Sequence, residues 1–135
     1  QGKYRAFQVW CQIRSELLDR AATFFIAKLE DKWMGYAKLY QGPAPDCVKQ
    51  LPAIEIARLY SMQQYLGYGI GAALMEASIS YARSKAFESI WLSSWQENQR
   101  GNAFYAKMQF EILGTKTFAI GSDIQEDYIF ARPIW

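Results

Sequence analysis

Histidine is absent from this chain of 135 residues. The absence excludes a Ser-His-Asp triad, a Cys-His pair, a His-ligated zinc and a histidine general base. Any proton transfer must run through Glu, Asp, Tyr, Lys or water. Cysteine is almost as scarce, with Cys11 and Cys47 far apart and no CxxC, and no metal is expected. No secretory signal and no apolar run of membrane-spanning length is visible, which predicts a soluble protein of a reducing compartment, the cytoplasm. Charge of one sign is also missing: the formal net charge is +2 with no block of like residues, so nothing points to a nucleic acid or an anionic membrane.

What remains is apolar and aromatic. A hydrophobic fraction of 51% favours a compact fold over disorder, and the length suits one domain over residues 1–135. The chain starts at Gln1 without an initiator methionine, which reads as a fragment or a processed form. Phe7, Trp10, Cys11, Ile13, Leu17 and Leu18 have the spacing of an amphipathic helix from about Ala6 to Arg20. AATFFIAKLE and WMGYAKLY read as a strand hairpin turning at Glu30-Asp31-Lys32, and the proline-rich QGPAPDCVKQLP as a surface loop. IEIARLYSM is the next strand, followed by a glycine stretch and a helix to about Lys85. SIWLSSW is a buried strand, NQRGNAFYAKM a short helix with Asn98 as its N-cap, and FEILGTKTFAIG with DYIFARPI a closing pair of strands. This order predicts an α/β domain with a mostly antiparallel sheet, its parallel pair supplied by the strand-helix-strand unit around the glycines.

The glycine stretch is QQYLGYGIGAALM, Gln63 to Met75, with Gly67, Gly69 and Gly71. Glycine in a turn costs conformational entropy, so such a cluster answers a need for positive φ or for close approach to the main chain. Ile70, Ala73, Leu74, Ala77, Ser78 and Tyr81 form one helical face directly after it. The glycines thus sit at a helix N-terminus, where unpaired N–H groups and the positive end of the dipole favour an anion such as phosphate. The other reading is a turn that only lets the helix pack close to a strand. Gly67, Gly69 and Ala72 also satisfy the dinucleotide pattern GxGxxG/A, but SMQQYL separates the strand from the first glycine and Glu88 falls before the next strand. No Lys-Ser or Lys-Thr follows Gly71, which excludes a Walker A loop.

IEIARLYSMQQYLGYGIGAALMEA followed by IWLSSWQENQRGNAFYAKMQFEILGTKTF resembles the GCN5-related N-acetyltransferase (GNAT) superfamily. From Ile54 onward it looks most like the bacterial branch that contains the PaiA polyamine acetyltransferases, and WMGYAKLY is similar to the third strand of that fold. Two motifs carry the resemblance: a strand ending in a glycine loop and helix, and an Asn followed by FYxK on a later helix. It implies a mixed, mostly antiparallel central sheet with helices on both faces. The family fold normally opens with a strand and a helix, for which there is no room before the helix read at Ala6. The implied activity is direct transfer of an acetyl group from acetyl-CoA, the co-substrate, to the primary amine of a small molecule in a ternary complex.

The resemblance also assigns residues. The family's loop holds the pyrophosphate of acetyl-CoA and reads Gln or Arg, two free positions, Gly, one free position, then Gly or Ala. Aligning Gly69 and Gly71 with its glycines puts Leu66 at the Gln or Arg position, and Gly67, Tyr68, Gly69, Ile70, Gly71 and Ala72 supply the backbone N–H groups. Leu59, Tyr60 and Ser61 offer main-chain groups to the pantetheine arm, at a place where the family commonly splays neighbouring strands apart. Asn98 corresponds to a pantetheine-contacting Asn, a role compatible with its N-cap duty. Tyr105 is the acid that protonates the departing thiolate, and Lys107 lies near the nucleotide end. Gln109 stands where the family usually has Gly, and Gly101 where it usually has Ala.

Glu55 follows from patterning. Strict alternation places Glu55, Ala57 and Leu59 on one face and Ile54, Ile56 and Arg58 on the other. A carboxylate between Ile54 and Ile56 is costly unless used or paired. A salt bridge with a neighbouring strand is one reading; a general base is the other, since an amine with a pKa of about 10.4 is neutral in only about one molecule in a few thousand at neutral pH. Polyamine acceptors are implied by the resemblance alone. Trp91, Trp95, Tyr36, Tyr40, Glu55 and Glu97 could line a cation site, or be core. The family often dimerises, so a homodimer is an expectation. A reading from another class is a non-catalytic acetyl-CoA or CoA sensor, towards which Leu66 and Gln109 lean, while Glu55 and Tyr105 together lean against it.

Overall fold

A computed structural model describes residues 7–15 and 21–135. Seven strands form one sheet: β1 (Gln8–Ser15), β2 (Ala21–Leu29), β3 (Lys32–Tyr40), β4 (Ala53–Ser61), β5 (Ser89–Trp95), β6 (Glu111–Ile120) and β7 (Asp123–Pro133), in the order β1-β2-β3-β4-β5-β7-β6. Two helices, α1 (Ile70–Ser84) and α2 (Gln99–Lys107), connect β4 to β5 and β5 to β6. Every neighbouring pair is antiparallel except β4 with β5, which the α1 crossover joins. The mixed, mostly antiparallel sheet is the expected one. No described helix is long and apolar enough to cross a membrane.

The first expected helix is instead strand β1, paired with β2 from Gln8↔Lys28 to Ser15↔Ala21. The apolar spacing misled because Val, Trp, Cys and Ile also suit a pleated edge, and a ready-made partner in β2 outweighs a local periodicity. Ala6, Leu17, Leu18 and Arg20 of that reading lie outside the described residues.

α1 buries Ile70, Leu74, Met75, Ile79 and Ala82 against Phe25, Met34, Ala37, Leu39, Ile54 and Ile56 of the sheet. At about 1.5–3 kcal/mol per large side chain, this face dominates the packing energy. Phe104 and Tyr105 of α2 and its C-cap Met108 join the same cluster. Among the described residues both helices therefore lie on one face, and the expected helix cover of the second face is not seen. That face carries a smaller cluster of Val48, Ala53, Trp91, Ile129 and Ala131 beside the proline-rich loop.

Two departures from regular pleating position the site. β4 and β5 pair only through Ala53↔Ser89, Ile54↔Ile90 and Glu55↔Trp91. Beyond that point β4 stays with β3 as far as Ser61, and β5 stays with β7 as far as Trp95, so the sheet opens as a wedge. The second departure is a bulge on β4, where Leu39 pairs with Ile56 and Lys38 with Arg58, leaving Ala57 as the extra residue. The bulge reverses the alternation expected past Ile56: Leu59 joins Ile54 and Ile56 at the helix-covered core, and Arg58 turns out.

Candidate active site

A cavity of about 760 Å³ occupies the open end of the wedge. Its walls are Leu59, Tyr60 and Ser61 from the end of β4, Leu66 and the glycine loop into α1, and the face of α2 that carries Asn98, Tyr105 and Lys107. The wedge creates this space because main-chain groups on the facing edges of β4 and β5 have no strand partner there.

The glycine loop divides into two kinds of position. Gly67 and Gly69 have φ of +90° and +79°, and a Cβ at either would meet nothing within 4 Å. They answer a conformational demand and border open space. Gly71 lies inside α1, where a Cβ would come 3.5 Å from the Phe104 ring, an ordinary contact. Gly69 is the N-cap of α1, with no side-chain cap and no acidic residue in the first turn. Uncapped N–H groups and the positive dipole end thus open into the cavity. Among the described residues its two cations, Arg100 and Lys107, lie seven residues apart on α2, and no carboxylate lines it. This donor set fits a large anion with an apolar arm.

Asn98 has the N-cap role foreseen for it. Its side chain accepts from the Gly101 N–H at 3.2 Å, capping α2, and it also lines the cavity. The Gly at 101 has a local reason: a Cβ there would lie 2.9 Å from Cγ of Asn98. Tyr105 packs its ring on Phe130, with centroids 5.4 Å apart, and reaches the cavity. Burial alone raises its pKa, so the phenol keeps its proton at neutral pH.

Of the loop residues named from sequence, Tyr68 does not line the cavity. Its ring meets Tyr65 edge-on at 5.7 Å and packs against the core. Sequence reading missed Tyr65, Arg100, Gly101 and Phe104 as cavity residues, and Gly35, which supports the wall from behind. A Cβ on Gly35 would collide with the Tyr60 carbonyl and come 3.1 Å from Cα of Ser61 and 3.2 Å from Cγ2 of Ile70. The signal was available, since a lone glycine inside a strand marks close backbone approach.

Glu55 is not part of this cavity. It alternates with Ile54 and Ile56, and so points to the opposite face of the sheet at the apex of the wedge, beside Trp91. Loss of hydration raises its pKa, against the lowering effects of a hydrogen bond from Tyr40 and the charge of Lys116. Glu55 and Tyr105 thus flank the gap from opposite faces. The aromatic group suggested for a cation is dispersed: Trp91 is core, Tyr40 binds Glu55, and Tyr36 borders a separate hollow with Phe24 and Arg58. Trp95 and Glu97 are exposed.

The profile of the acetyltransferase (GNAT) family matches residues 2–110. An uncharacterized N-acetyltransferase of Mycobacterium tuberculosis is 34% identical over 118 residues, covering 87% of this chain and 71% of that protein. Among solved structures, NAA60 of Arabidopsis thaliana in complex with a bisubstrate analogue superposes with a TM-score of 0.73 at 15% identity, over 83% of this chain and 75% of that one. The same protein in complex with acetyl-CoA gives 0.71 at 14% identity, over 84% and 76%. Wedge, loop and sequence relationship agree, and the chain belongs to the GNAT family of N-acetyltransferases.

Proposed function

We propose that the chain transfers the acetyl group of acetyl-CoA directly to the primary amine of a small molecule, with polyamines the first class to test. The observation that carries this reading is the uncapped N-terminus of α1 opening into a cavity whose charged side chains, among the described residues, are both cationic. Backbone N–H groups from Gly67 to Ala72 would hold the pyrophosphate, with Arg100 and Lys107 beside it. Leu59, Tyr60 and Ser61 would face the pantetheine arm, and Asn98 would close over it. When bound, acetyl-CoA supplies the activated thioester.

Glu55 takes the proton that the amine must lose, and the amine reaches the thioester carbonyl through the gap between β4 and β5. Tyr105, on the other side of the gap, gives its proton to the departing thiolate. The polyamine class rests on the resemblance from Ile54 onward and on the carboxylate at the apex.

The test is a calorimetric titration with acetyl-CoA, with NADH as control, followed by thiol release over a panel of amines. Saturable binding of acetyl-CoA together with amine-dependent thiol release is expected. Binding without amine-dependent release would mark a sensor, and spermidine no better than ethylamine would remove the polyamine class.

A further inference from the structure

The face of the sheet turned away from both helices carries a second recess, a hollow of about 340 Å³ that spans β1 to β4. Small-molecule sites occupy about 300–1,000 Å³, so the hollow is large enough for one. Strand register lays out its floor. One cross-strand row runs Gln12, Phe24, Lys38, Arg58 from β1 to β4, and the row beside it passes through Ile26 and Tyr36. These six line the hollow together with Trp33 from the start of β3. None of them lines the acetyl-CoA cavity, which lies on the other side of β4.

The charges of the hollow call for an anion. Lys38 and Arg58 stand directly opposite each other on antiparallel strands, where like charges destabilise a sheet. Among the described residues no carboxylate lines the hollow, and the Arg58 guanidinium has no hydrogen-bond or ion-pair partner. Glu55, on the same face, accepts from Tyr40 and lies outside it. Local pairing rules are broken in this way mainly at functional sites. The floor calls for a flat apolar body. The Phe24 and Tyr36 rings lie 6.2 Å apart, Tyr36 continues to Tyr60 at 5.9 Å, and the Lys38 ammonium sits 5.9 Å from the centre of the Phe24 ring. Trp33 adds an indole that is 52% exposed.

We propose that this hollow is a second ligand site, for an organic anion made of one carboxylate on a planar ring system. Arg58 receives the carboxylate on its fork of N–H donors, Lys38 adds its charge beside it, and the ring lies over Phe24, Tyr36 and Trp33. The same two cations repel an ammonium, so the site is not one for the amine acceptor, and it does not depend on the acetyl-transfer reading.

The probe is 2-naphthoate, titrated by calorimetry into the whole chain, with 2-naphthamide as its uncharged counterpart and with both titrations repeated in the presence of coenzyme A. Saturable binding of the carboxylate is expected at a Kd of about 1 mM or tighter, the scale for a ligand of this size. It should be at least about tenfold tighter than the amide and unchanged by coenzyme A. Arg58→Gln is expected to abolish the preference for the carboxylate and, because it removes a like-charge pair, to melt no lower than wild type. Trp33→Ala is expected to weaken both probes alike. No saturable binding, equal affinity for the two probes, or a preference that survives Arg58→Gln would overturn the proposal. So would displacement of 2-naphthoate by coenzyme A, which would put the probe in the acetyl-CoA cavity, or an Arg58→Gln chain that melts below wild type, which would make Arg58 a paired residue.

Discussion

The N–H of Phe110 donates to the carbonyl of Tyr105 at 3.0 Å, and the rings of the same two residues meet at 6.2 Å. One residue earlier the Gln109 N–H donates to the Ala106 carbonyl, also at 3.0 Å. Together these bonds close α2 in a Schellman arrangement with Gln109 at the left-handed position, φ +72°. Tyr105 is thus held by its backbone at the helix end and by its ring on Phe130. Gln109→Gly removes a left-handed conformation that costs a side-chain-bearing residue about 1–2 kcal/mol. Thermal melting should show a gain of a few degrees with turnover unchanged. A lower Tm would mean that the glutamine side chain compensates for its backbone.

The phenol itself is separable from that packing. Tyr105→Phe keeps the ring contacts and removes the proton proposed for the thiolate, so kcat should fall at least about tenfold while acetyl-CoA affinity stays. Steady-state kinetics checks this, and full turnover would remove Tyr105 as the acid.

Positive φ separates the three glycines of the loop. Gly69→Ala meets no steric neighbour yet places a β-carbon at φ +79°, at a cost of about 1–2 kcal/mol, and points it into open space at the cavity. Gly71→Ala adds an ordinary contact in a helix, where alanine is favoured by about 1 kcal/mol. Calorimetry should show acetyl-CoA binding weakened about tenfold or more by the first. The second should equal or exceed wild-type stability. The reverse order would show that the loop is read wrongly.

Gly35→Ala is expected to destabilise by about 1–3 kcal/mol, because the atoms in the way belong mainly to the β4 backbone and the start of α1. Both are walls of the cavity, so chemical denaturation and acetyl-CoA titration should respond together. A loss of stability with unchanged affinity would uncouple Gly35 from the site.

Glu55→Gln should trade turnover for stability. The carboxyl of Glu55 keeps its proton to higher pH in the folded chain than in the unfolded one, first because burial strips its hydration. Between the two pKa values the folded state binds more protons, so this group lowers stability as pH rises, and the loss is complete above the folded value. Glu55→Gln removes that loss while its amide oxygen still accepts from Tyr40. Melting curves should place the variant above wild type at neutral pH, with the two converging as pH falls towards the ordinary glutamate range. A variant less stable than wild type at neutral pH would show that the carboxylate is paired, not strained.

The conformation of the loop was legible in the sequence because it is local. Glycine spacing, the helix face after it and Asn98 three residues before Gly101 are written within one or two turns of chain, and backbone sterics and capping act at that range. Strand β5 and helix α2 were legible for the same reason, each having one strong period and clear flanking signals. Tertiary structure decided the rest. A partner strand turned Gln8–Ser15 from an apparent helix into β1, and the bulge at Ala57 moved Leu59 to the core and Arg58 away from it. It also decided where β4 and β5 part, which sets Glu55 and Tyr105 on opposite faces of one gap and brings Arg100 to the cavity. Pairing, splaying and close approach depend on residues far apart in the chain, and no local periodicity encodes them.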